Sequence, residues 1–145
     1  EGLMTDKLYR HIGVPVDMAH REKLGKALTT ATDLARHYGA RVTLVAVTGP
    51  APGEAAHNPK EFRAKLDAFA GELAGRSGVE VDAQAEVIGD PAADLDKSLD
   101  KQFHELGVDL VVMASHVPGF REYIFHSNAG FLASHTDLSV FVVRG

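Results

Sequence analysis

The stretch MASHVPGFREYIFHSNAG, residues 113–130, follows an apolar run and precedes a short predicted helix. In an alternating β/α chain, main-chain N–H groups at such a helix start lack intrahelical partners and can hold an anion, helped by the helix dipole. Those donors do not depend on side-chain identity. Glycine adds access to positive φ and room for close approach, yet only Gly119 precedes Gly130 within this stretch. His126 stands directly before Ser127. It either fills the space, donates to a phosphate oxygen, or blocks the approach. Ser127 and Asn128 read equally well as helix N-caps and as phosphate contacts. Asp17 closes the first apolar run, YRHIGVPVD. Its carboxylate either shapes a turn or accepts hydrogen bonds from hydroxyl or amino groups of a ligand. His116 reads as a loop hydrogen-bonding residue rather than an acid or base.

Other chemistries are poorly served. There is no cysteine, which removes disulfides, thiolate catalysis and cysteine zinc sites. His11, His20, His37, His57, His104 and His135 show no metal spacing, and HELGVD lacks the second histidine of a zinc-protease helix. Asp90, Asp94, Asp96 and Asp100 read as the solvated start of a helix, and Lys60, Glu61, Arg63 and Lys65 as a solvated face. No paired acid and base and no activated nucleophile stand out.

The elements that must position these residues alternate. YRHIGVPVD is a β-prone run, and AHREKLGKALTTATDLARHYG sets Leu24, Ala27, Leu28, Ala31, Leu34 and Ala35 at helical spacing before Gly39. RVTLVAVT is short and unrelieved, as suits a parallel strand covered on both faces. Residues 49–59 are rich in glycine and proline and read as a loop. A helix follows with Phe62, Leu66, Phe69 and Leu73 in one stripe. VEVDAQAEVI alternates, as a strand near a sheet edge does. Then come a helix ending at Gly107, the buried strand VDLVVMAS, a short helix SNAGFLASH and a last strand LSVFVVR.

The order β-α-β-α-β-α-β-α-β predicts an α/β fold: a doubly wound, five-stranded parallel sheet with helices on both faces. Ligands of such sheets bind beyond the carboxyl ends of the strands, where strand order reverses. Strands one and four should flank that crevice, which brings Asp17 toward residues 114–116.

The bulk numbers agree with one domain over residues 4–145. Glu1, Gly2 and Leu3 precede Met4 and read as a cloning remnant. With 145 residues, 45% hydrophobic and 24% charged, the chain can bury a core unaided. A net charge of −5 argues against nucleic acid or anionic membrane as partner. No run reaches the roughly 18–20 apolar residues of a membrane helix, and the start lacks signal-peptide character. A cytoplasmic location is expected.

The runs HIGVPVD, VIGDPAADL, VDLVVMASH and SVFVVR, in this order, resemble the universal stress proteins. The loop from Ala114 through Ser115, His116 and Pro118 to Tyr123, Ser127, Asn128 and Ala129 is most similar to the F/G-type members. The resemblance implies a Rossmann-like fold akin to the adenine nucleotide alpha-hydrolases. It also implies a homodimer paired through residues 138–144 and a crevice for ATP, ADP or AMP, with or without Mg. The nucleotide-binding positions it implies are Pro15, Val16, Asp17, Val47, Met113, Ala114, Ser115, His116, Val117, Gly119, His126, Ser127 and Asn128. Against the family's Gly-x2-Gly-x9-Gly-(Ser/Thr) form, the resemblance sets Ala114, Val117 and His126 in place of the three glycines, with eight residues rather than nine between the last two. The F/G type shares the alanine but not the other two. Valine in place of arginine at 117 removes a charge-assisted contact of roughly 1.5–3 kcal/mol, about one to two decades of affinity.

Two functions follow from the resemblance. One is a cytoplasmic, dimeric stress-response regulator that binds an adenine nucleotide, with at most slow ATP hydrolysis or autophosphorylation. The other is a member that binds no nucleotide and works as a protein-interaction module. A third reading, an enzyme that makes adenylated intermediates, ranks behind both.

Overall fold

The computed structural model describes residues 8–48, 58–89, 91–115 and 136–144, with the backbone alone for 91–96. Five strands form one parallel sheet: β1 (His11–Pro15), β2 (Arg41–Thr48), β3 (Val81–Val87), β4 (Leu110–Ala114) and β5 (Ser139–Val143). The spatial order is β3-β2-β1-β4-β5, and every neighbouring pair is parallel. Among the described residues three α-helices lie between them: α1 (Gly25–Tyr38), α2 (Pro59–Ser77) and α3 (Pro91–Leu106). This is the doubly wound sheet expected from the alternation. The short helix expected at residues 127–135 and the loop at 49–57 lie outside the described residues.

Local chemistry sets the helix ends. Asn58 caps α2 by accepting the Glu61 N–H at 2.8 Å, with Pro59 in the first turn. Gly39 ends α1 in the left-handed region at φ 68°, where its N–H bonds the Ala35 carbonyl. Gly107 does the same for α3 at φ 79°, and Val108 N–H closes back on the Phe103 carbonyl at 3.0 Å. One expectation needs correcting. The helix predicted from residue 19 does not run unbroken: Met18–Leu24 is a 3-10 segment interrupted at His20, and only Gly25–Tyr38 is α-helical. The irregular residue is His20, next to the turn that Asp17 caps.

Strand parity sorts the core onto two faces. Ile12 and Val14 of β1, Leu44 of β2 and Val112 of β4 meet Leu28 and Ala31 of α1 and Leu66 of α2 on one face. Val45, Val111 and Met113 meet Leu99 and Phe103 of α3 on the other. The alternating strand expected at an edge is β3, and it does lie at one edge, with β5 at the opposite one.

β1 turns a residue without a side chain toward α3. A Cβ built on Gly13 would stand 2.7 Å from two ring carbons of Phe103 and 3.1 Å from Val108. The fully buried Phe103 therefore lies directly on the strand backbone. Gly13→Ala should cost about 1–3 kcal/mol by overpacking. Adding Phe103→Leu should recover part of that loss, so that urea denaturation of the pair gives less than the sum of the single effects.

Candidate functional site

β1 leads to β2 on one side, while β4 lies on its other side, so strand order reverses between β1 and β4. Their register pairs Ile12 with Leu110 and Gly13 with Val111. Both strands run to the same edge of the sheet, β1 through Pro15 and Val16 to Asp17 and β4 through Ala114 to Ser115. Past the strand ends each stays bonded to its other neighbour: Val16 N–H to the Val45 carbonyl of β2 and Ser115 N–H to the Val143 carbonyl of β5, both 2.9 Å. Pro15, Val16 and Met113 are buried and Ala114 is nearly so. Asp17 and Ser115 are the first residues with accessible polar groups past the carboxyl ends of β1 and β4. Val47, partly buried at the end of β2, packs with the α3-side core.

The structure thus brings together seven of the expected positions: Pro15, Val16, Asp17, Val47, Met113, Ala114 and Ser115. His116, Val117, Gly119, His126, Ser127 and Asn128 lie outside the described residues.

Asp17 is more than a strand terminator. Its Oδ1 accepts the Ala19 N–H at 3.1 Å, and its Oδ2 lies 3.0 Å from His20 Nδ1. Its carbonyl accepts the His20 N–H at 3.0 Å. Turn-forming and ligand-facing roles, weighed against each other on sequence, are compatible here. A carboxylate has about four lone-pair positions, and two donors leave acceptor capacity toward the crevice. Sequence reasoning passed over His20 because it sought metal spacing; the pertinent signal was Asp-x-x-His across a tight turn.

Two further histidine clusters lie away from the crevice. His11 is buried at the amino end of β1, with Nε2 2.6 Å from the Thr43 hydroxyl. Burial first, then the charge of Arg41, pushes its pKa below the ordinary 6.5, against the opposing pull of the Leu106 backbone, Asp109 and Asp82. His104 of α3 lies 2.8 Å by Nδ1 from the Asp100 carbonyl and 2.7 Å by Nε2 from Asp137, just before β5. Both partners accept, so only the imidazolium serves both at once. Those bonds, the Asp100 carbonyl first, raise its pKa. Asp137 is lowered in turn by the hydrogen bond from His104. Asp100, expected on a solvated face, also accepts from the Thr136 hydroxyl at 2.7 Å. It belongs to a network that ties α3 to the approach of β5. Among the described residues no three His, Cys, Asp or Glu side chains stand together as metal donors.

The model of the universal stress protein family matches residues 8–144. The chain belongs to that family. No curated protein matches it in sequence. Among solved structures, a universal stress protein family member from Burkholderia pseudomallei is 22% identical with a TM-score of 0.68, covering 95% of this chain and 98% of that one. The universal stress protein of Archaeoglobus fulgidus in complex with dAMP is 19% identical, TM-score 0.65, covering 93% and 98%. A family protein from Arabidopsis thaliana with AMP bound is 14% identical, TM-score 0.61, covering 93% and 91%. At these identities the likeness establishes the shared fold. Among the described residues, no helix of this universal stress protein is long and apolar enough to cross a membrane.

The two displaced histidines should give opposite pH signatures. His104 binds its proton more tightly when folded, so its contribution to stability is complete below about pH 6.5 and disappears as pH rises through its raised folded value. His11 binds its proton less tightly when folded, so stability falls as pH drops below about 6.5 toward its lowered folded value. In denaturation at several pH values, His104→Gln should therefore destabilise the protein more at pH 6 than at pH 8. His11→Gln should flatten the loss on the acid side.

Proposed function

We propose that this universal stress protein binds an adenine nucleotide in the crevice between the carboxyl ends of β1 and β4 and acts as a nucleotide-responsive cytoplasmic regulator. The observation that carries the reading is the placement of Asp17 and Ser115 just past the carboxyl ends of the neighbouring strands β1 and β4, at the reversal of strand order. Family neighbours of the same fold have been solved with dAMP and with AMP.

The residues present suit the nucleoside end of such a ligand. Asp17 is an anionic acceptor, so it attracts ribose hydroxyls or the adenine amino group and repels phosphate. The apolar Val47, near the end of β2, suits the wall against a base. Phosphates then fall to the main-chain donors expected near Ser115, His116, Val117, Gly119, His126, Ser127 and Asn128. The F/G-type reading of that loop belongs to the same proposal and rests on its Ala114-Ser115-His116 start. Asp17 has both oxygens engaged by protein donors and has no second carboxylate beside it among the described residues. Any magnesium would therefore arrive on the phosphates, which is its usual mode. The protein's own part is binding and orientation: Asp17 holds the nucleoside, and the loop amides take the negative charge.

Calorimetry with ATP, ADP and AMP tests the proposal, and no saturable heat at millimolar nucleotide would refute it. Asp17→Asn keeps an oxygen for the Ala19 N–H but loses an acceptor, and should weaken binding by about tenfold. The chain has no tryptophan and only three tyrosines, so a co-purified adenine should be visible as extra absorbance on the short-wavelength side of the protein band.

The family's pairing through the last strand is the second part of the proposal. β5 is an edge strand on which Phe141, 44% exposed, faces away from the core. An unpaired edge with an exposed aromatic residue favours strand addition by a like chain. In sedimentation, the wild type should run as a dimer and Phe141→Glu should shift it toward monomer.

A further inference from the structure

We propose that His20 is a positioning residue of the nucleotide crevice, one that holds the Asp17 carboxylate in a single orientation toward the nucleoside. The inference rests on the nucleotide-binding reading and adds to it a residue outside the expected site.

Two bonds grip the carboxylate from different sources. Oδ1 takes the Ala19 main-chain N–H at 3.1 Å, and Oδ2 takes His20 Nδ1 at 3.0 Å. Capping the turn requires Oδ1 alone; the ring on Oδ2 is additional to it. An unrestrained aspartate rotates broadly about its terminal sp³–sp² torsion. With each oxygen assigned its own donor, that rotation stops before any ligand arrives, and the ordering cost is not charged to binding. The ring is well placed to do this. His20 leaves helical geometry at φ −129°, ψ 34°, and its N–H still bonds the Asp17 carbonyl at 3.0 Å. One main-chain bond and one side-chain bond therefore close the same short turn. The side chains of His20 and Asp17 are only 14% and 16% exposed, so water and salt compete weakly for the contact.

The chemistry also sets the state of the ring. An ionised carboxylate only accepts, so Nδ1 carries the proton in both the neutral and the charged imidazole. Because the carboxylate attracts donors and repels phosphate, its orientation matters for ribose or adenine and not for the length of the phosphate chain.

The test is calorimetry with AMP and with ATP on the wild type, His20→Leu and His20→Asn. Leucine keeps the bulk without a donor and should weaken both nucleotides equally, by roughly five- to tenfold. Asparagine places an amide nitrogen where Nδ1 stands and should return both affinities to within about twofold of wild type. If the wild type binds and His20→Leu binds both nucleotides as well, the positioning role is overturned while the nucleotide reading stands. If the wild type binds neither, both are overturned. An independent measurement needs no variant to fold: imidazole ¹⁵N shifts of the ligand-free protein should show Nδ1 protonated. A ring carrying its proton on Nε2 alone would overturn the proposal.

Discussion

The close seating of Phe103 on Gly13 is the contact on which the architecture turns. A chain that has built β1, β2 and β3 outward must return past two strands before it can lay down β4 on the far side of β1. The return element is α3, and it crosses the sheet where β1 offers backbone in place of a side chain. That approach lets Leu99 and Phe103 meet Val45, Val111 and Met113 in the second core. β4 then lies beside β1, with Ile12 opposite Leu110 and Gly13 opposite Val111.

Polar chemistry is divided between the two ends of the sheet. At the carboxyl end, Asp17 and His20 form a close pair with most of both side chains sheltered from water. At the amino end, Asp109 accepts the N–H groups of Arg10 and His11, and His11 meets Thr43 in the interior. The first arrangement keeps acceptor capacity outward, as a binding residue must. The second is turned inward, where the net worth of a hydrogen bond is modest but leaving its groups unmade is costly. Histidines with no common spacing in the chain thus perform three different tasks, because burial and partners rather than the imidazole itself set the behaviour of each.

The sheet's two edges differ in a related way. β3 covers its outer positions with Asp82, Gln84 and Glu86 on the face opposite α2, and the Arg41–Asp82 pair at 3.3 Å adds charge there. Charged edges discourage strand addition. β5 instead exposes Phe141 between Val140 and Val142. Its approach is tied to α3 through Thr136, Asp137 and His104, so the strand most open to a partner is also anchored at its start.

Element order, parallel pairing, the edge character of β3 and the stops at Gly39 and Gly107 were all legible in the sequence. Hydrophobic period and glycine placement are local signals that survive without a partner in space. The candidate site was legible as far as Asp17 and residues 113–115, because strand ends follow from the same periodicity. Three things depended on the tertiary structure. The break at His20 arises from competition between the Asp17 turn and helix propagation, which periodicity over a longer window averages away. The Asp17–His20 grip needs the actual turn geometry. The His104 network joins residues 33 positions apart, and only the packing of α3 beside β5 brings them within hydrogen-bond reach.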